Sequence, residues 1–155
     1  MSAARGLKLE LARGTRAWTP PEARMSRWAA AALGRRGEGR EIAVRVVGAV
    51  ESRELNRTWR GKDKPTNVLS FPAPAVPAEP AVRRPLGDLV ICAQVVRDEA
   101  ARDGKPLQAH WAHMVVHGTL HLAGYDHEQG RRERLRMERR EIAVLRSFGI
   151  GNPYA

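Results

Sequence analysis

His117, His121 and His127 stand in the run His-Gly-Thr-Leu-His-Leu-Ala-Gly-Tyr-Asp-His, a spacing suited to holding one metal ion. Residues four apart on a helix lie one turn above each other, so His117 and His121 would point the same way. Gly124 can end that helix in a left-handed conformation and turn the chain so that His127 completes the set. Three imidazoles around tetrahedral zinc leave the fourth position to water, the pattern of a catalytic rather than a structural site. Such an ion lowers the pKa of water from about 15.7 to about 7 and polarises a carbonyl or phosphoryl oxygen. The expected chemistry is hydrolysis assisted by a single Zn2+.

The spacing equals that of metzincin proteases, and Met137 lies downstream where those enzymes place a Met-turn. Their general base, however, is a Glu directly after the first histidine, and here that position is Gly118. Losing a positioned base forfeits about 10²–10⁴-fold in rate, which weakens a peptidase reading. Met137 also falls in a helical pattern, where packing in the core is the simpler role. Asp126 and Glu128 flank the third ligand, and either can accept an imidazole N–H or serve as a base. Asp126 is a candidate supporting carboxylate, because Glu128 reads equally well as a solvated turn residue. His113, one turn before His117, is a second candidate supporting residue, and His110 has no assigned role.

Arg60, Lys62 and Lys64 crowd one loop in which only Asp63 offsets a charge. An arginine on a turn grips phosphate bidentately, and Lys62 and Lys64 are candidate contacts to RNA. The arginines of the last helix alternate with Glu133, Glu138 and Glu141, which reads instead as a solvated face.

The chain has 155 residues, enough for one domain with its own core, residues 1–155. Its 27 Lys and Arg against 17 Asp and Glu give a net charge of +10, a field that attracts polyanions. A composition rich in Ala, Arg and Gly accounts for part of that excess. Aromatic residues make up 5%, which argues against a platform of stacked bases. No apolar run suits a membrane span, and Met1–Glu10 lacks the apolar stretch of a signal peptide. Cys92 has no second cysteine to pair with, which fits a reducing cytoplasm and a small buried side chain.

These residues need a scaffold, and the hydrophobic pattern supplies one. Leu7, Leu9 and Leu11 alternate as in a half-buried strand. Thr19, Pro20 and Glu22 suggest a capped helix start, followed by an apolar face of Met25, Trp28, Ala29, Ala32 and Leu33 that stops at Gly34. A second strand follows at Ile42–Val47, then a short helix at about Ser52–Arg60 with Leu55 and Trp59 turned inward. Asn67–Phe71 and Leu86–Cys92 read as antiparallel neighbours, joined by a Pro/Ala-rich surface loop at 73–85. Helices are expected at about Ala93–Arg102, Leu107–Ala123 and Gly130–Phe148, the last burying Leu135, Ile142, Leu145 and Phe148. The fold class is therefore α+β, a small mixed four-stranded sheet packed with about five helices around a metzincin-like three-histidine site.

Two segments, Arg60–Pro72 and His113–His127, resemble the YbeY family of bacterial endoribonucleases, also called rRNA maturation factors, and Leu86–Cys92 is similar to a strand of that family. The resemblance implies zinc on His117, His121 and His127 and a functional Arg60 facing it across a positively charged cleft. It implies single-strand-specific cleavage in the maturation of small-subunit ribosomal RNA, with a part in ribosome quality control. Implied partners are the small ribosomal subunit and associated factors such as an Era-type GTPase. Two departures stand out: the long insertion at 73–85, and Asn67 where Asp is common. Alternatives from other classes are a zinc-containing ribosome assembly factor that mainly binds, and a metallohydrolase of other substrates.

Overall fold

The computed structural model describes residues 6–79 and 81–155, so the reading of residues 1–5 and of Pro80 lies outside it. Four strands form one mixed sheet in the order β1-β2-β4-β3: β1 (Lys8–Arg13), β2 (Arg40–Val47), β3 (Val68–Pro72) and β4 (Arg84–Cys92). The pairs β1–β2 and β2–β4 are parallel, and β3 lies antiparallel to β4 at the edge. Parallel neighbours need crossovers, which α1 (Glu22–Leu33) supplies between β1 and β2. Ile42, Val44 and Val46 alternate into the core as their spacing predicts, and their β-branched side chains suit the pleat.

The remaining helices are α2 (Ala49–Arg60), α3 (Ala93–Asp103), α4 (Leu107–Leu122) and α5 (Arg131–Ser147). Helix α4 is apolar nearly all round and runs through the centre, packed on β3 and β4 and flanked by α1, α3 and α5. Trp111, Val115, Val116 and Leu120 fill the core beneath it. Gly118 is what lets α4 lie so close to the sheet. A Cβ there would come within 2.8 Å of Leu89 Cδ2 and 3.1 Å of Val68 Cγ2. The α+β class and the four-stranded mixed sheet are as expected from sequence.

Several local expectations are corrected. Thr19 does not cap α1: the N-cap is Pro21, with no side-chain cap bond, and Thr19 Oγ1 accepts instead from Nε of Arg13 at 2.8 Å. Arg84 and Pro85 belong to β4 rather than to the long loop, because Pro85 needs no N–H where the register shifts near Glu41. Trp59 is 66% exposed rather than turned inward. On α5 the buried residues are Met137, Glu141, Val144 and Leu145, while Phe148 is exposed. A short 3-10 turn at Gly34–Gly37 was not expected. Among the described residues, no helix is long and apolar enough to cross a membrane.

Candidate metal centre

His117 and His121 project from the last turns of α4, and Gly124, at φ +99°, redirects the chain so that His127 returns beside them. Donor atoms of the three imidazoles lie within 4.8 Å of one another. Nε2 of His121 and Nδ1 of His127 are 2.9 Å apart, and the ring centroids are 4.8–5.1 Å apart. All three rings are half-buried, so the site opens toward solvent on one side. Burial, with repulsion from His117 and His127, takes His121 down to about 4 from an ordinary 6.5. Its ring is therefore neutral near pH 7 and holds a free lone pair.

The carboxylate behind the site is one that sequence reading missed. Glu141 of α5 is fully buried, and its Oε2 accepts from Nδ1 of His117 and from Nε2 of His113, each at 2.9 Å. Burial pushes its pKa up, but the hydrogen bonds from His113 and His117 outweigh that and hold it at about 2 instead of 4.5. Glu141 is thus anionic and fixes the Nδ1–H form of His117, leaving Nε2 for a metal. Burial lowers His113 despite the neighbouring carboxylate. A neutral His113 that donates from Nε2 keeps a bare lone pair on Nδ1, and that atom is buried without a partner. The signal for Glu141 was present: it falls four residues after Met137 and three before Val144, on the buried stripe of α5.

The other candidates are placed as follows. Asp126 does not meet an imidazole; its Oδ1 accepts from the backbone N–H of Glu128 at 2.8 Å. His110 is fastened elsewhere, with Nε2 2.8 Å from Glu99 Oε1. Asn67 donates from Nδ2 to the same Glu99 carboxylate at 3.2 and 3.3 Å, a bond an ionised Asp could not make. Met137 packs in the core within α5, not in a turn beneath the histidines.

A cleft of about 580 Å³ opens in front of the histidines, walled by β3 from Val68 to Phe71 and by the end of α2. Arg60 and Lys62 line it; Lys64 does not, and its carbonyl accepts instead from Asn56 Nδ2 at 2.8 Å. Asp63 is drawn away by Arg53 in a two-pronged pair at 2.7 and 2.9 Å, so it does not neutralise Lys62. Nη2 of Arg60 reaches across the mouth to Glu128 at 3.0 and 3.2 Å. Trp59 also lines the cleft and stands edge-on to Phe71, with ring centroids 5.9 Å apart. The few aromatics of this chain are therefore partly gathered at the cleft, contrary to the composition argument.

The residues present fit a zinc-like ion: three clustered imidazoles, one already held by a buried carboxylate, and an open side for substrate. A family model described as "Endoribonuclease YbeY" matches residues 18–149. The chain is also similar in fold to the solution structure of TM1509 from Thermotoga maritima. That likeness is 24% in identity over 91% of each chain, with a TM-score of 0.55.

Proposed function

Since the chain belongs to the YbeY family of rRNA-maturation endoribonucleases, we propose that it cuts single-stranded RNA with the help of one Zn2+ held by His117, His121 and His127. The observation that carries this reading is the cleft itself, which the three imidazoles line together with Arg60 and Lys62. A bound divalent ion supplies Lewis acidity to a phosphodiester oxygen and lowers the pKa of water to about 7. Glu141 holds His117 in register for that ion through its Nδ1–H.

Arg60 would take the phosphate. Its ion pair with Glu128 is surface-exposed, and such pairs are worth only about 0–1 kcal/mol, so a phosphate can displace the carboxylate. Once freed, the guanidinium donates two parallel bonds to phosphate oxygens and stabilises the extra charge of a pentacovalent phosphorane. Lys62 adds a point charge to the same face. The exposed face of Trp59 offers a stacking surface for an unpaired base, worth about 1–3 kcal/mol per base, and a base in a duplex is not free to use it. Preference for single strands follows from that. The absence of a carboxylate at position 118 favours a phosphate-directed site over a peptidase.

The same reading assigns the protein to the cytoplasm, acting on the small ribosomal subunit in rRNA maturation and quality control with factors such as an Era-type GTPase. The test is cleavage of a defined precursor end by wild type, Arg60→Glu and His117→Ala with metal content measured in each. Arg60→Glu should keep its metal and lose cleavage; His117→Ala should lose both. Cleavage by an Arg60→Glu protein at the wild-type rate would refute the role given to Arg60.

A further inference from the structure

The family match ends at residue 149, yet the residues that follow reach the back of the metal centre. That segment is fastened at several points. The N–H of Ile150 donates to the Leu145 carbonyl at 3.0 Å. Nζ of Lys105 donates to the Pro153 carbonyl at 2.8 Å. Oδ1 of Asn152 accepts from the backbone N–H of Tyr154 at 2.8 Å. The Tyr154 ring then stands edge-on to His113, with centroids 5.4 Å apart, and its O–H donates to Oε1 of Glu141 at 2.8 Å. Glu141 thus has its two oxygens divided: Oε1 serves Tyr154, and Oε2 serves His113 and His117.

We propose that Tyr154 is a positioning residue for the metal centre, fixing the Glu141 carboxylate so that Oε2 stays on His117 Nδ1 and Nε2 of His117 stays turned to the metal. A terminal carboxylate torsion is soft and roughly two-fold, so two imidazoles sharing Oε2 hold the group less firmly than donors on both oxygens do. A hydroxyl on the second oxygen fixes the plane of the group and leaves no buried oxygen without a donor. The donor is dependable, because burial and the Glu141 charge raise the phenol well above its ordinary range and keep it protonated. Much of the Tyr154 side chain is exposed, so its hydroxyl can be removed without opening the core.

This role rests on the metal reading of His117, and its test separates the two. Wild type and Tyr154→Phe, both as the full chain, are compared in two ways. The first is ¹⁵N NMR of the His117 ring in metal-free protein. The second is Zn2+ affinity by competition with a chromophoric chelator. Wild type should show one Nδ1–H tautomer, and Tyr154→Phe a mixture, with Zn2+ affinity about three- to ten-fold weaker. That is milder than the 10- to 100-fold typical of a partner that touches the ligand itself. A Tyr154→Phe protein with the wild-type tautomer and wild-type Zn2+ affinity overturns the proposal. If wild type takes up no Zn2+ while its His117 tautomer still responds to Tyr154→Phe, the metal reading fails and the positioning role stands.

Discussion

Oε2 of Glu141 lies 2.9 Å from Nδ1 of His117, which joins helix α5 to the metal face of α4 through a part-buried, charge-assisted hydrogen bond. Two residues 24 apart in sequence thereby act as one unit. The ring that would ligate a metal is oriented from behind by a carboxylate that never reaches the cleft.

Replacing that carboxylate with its near-isostere isolates the effect. Glu141→Gln should keep the fold but weaken Zn2+ binding by about 10- to 100-fold, because the amide lacks the charge that favours the Nδ1–H form. Chelator competition reads the change directly. Unaltered affinity would mean that His117 is oriented by other contacts.

The stability of the metal-free protein should fall on acidification in two stages. His121 sits at about 4 when folded and at 6.5 when free, so the unfolded chain binds its proton first and stability is lost as pH falls from 6.5 through 4. Glu141 sits at about 2 against 4.5, so its contribution is present above pH 4.5 and lost as pH falls toward 2. The Glu141 stage is worth up to about 3 kcal/mol, and the His121 stage less, because solvent screens its half-buried ring. Thermal midpoints against pH should show the upper stage flattened in His121→Asn and the lower stage flattened in Glu141→Gln.

Freeing or removing Arg60 should act on RNA and leave the metal alone. Arg60→Ala should lower cleavage by about 10²–10³-fold, the usual effect of losing one donor to a developing oxyanion, with metal content unchanged. Glu128→Gln removes the competing carboxylate 3.0 Å from Arg60 and should tighten binding of a short single-stranded RNA. Fluorescence anisotropy of a labelled oligonucleotide checks the second effect, and weaker binding by Glu128→Gln would contradict it.

Gly118 should resist substitution for reasons of space. Gly118→Ala places a methyl 2.8 Å from Leu89 Cδ2 and should cost about 1–3 kcal/mol in chemical denaturation. In a double-mutant cycle with Leu89→Ala the combined loss should be less than the sum of the two single losses, since the two residues contend for the same volume. Additive destabilisation by the pair would argue against the close approach of α4 to the sheet.

Strand β2 was legible because it alternates cleanly, and α4 because an apolar stretch of 16 residues between Pro106 and Ala123 is too long for a strand. The grouping of His117, His121 and His127 followed from one helical turn and one glycine. What escaped notice was set by tertiary partners. Thr19 has every mark of a helix cap, but Arg13 on β1 takes its hydroxyl. Trp59 looks like a core residue by spacing, yet α2 turns it toward the cleft, where it meets Phe71. Glu141 hid among the arginines and glutamates of α5: its spacing from Met137 and Val144 put it on the buried stripe, but nothing in the pattern named His113 and His117 as its partners. Lys64 shares a loop with Lys62 but is not among the residues that line the cleft, a difference that composition cannot express.

The most direct measurement is cleavage of a defined single-stranded RNA by protein stripped of metal and verified as such, before and after one equivalent of Zn2+ is restored, with His121→Ala run in parallel. Stripped wild type should be inactive and should recover on reconstitution, and His121→Ala should stay inactive at that same equivalent. Full cleavage by the verified metal-free protein, or by His121→Ala without bound metal, would contradict a metal-dependent endoribonuclease centred on His117, His121 and His127.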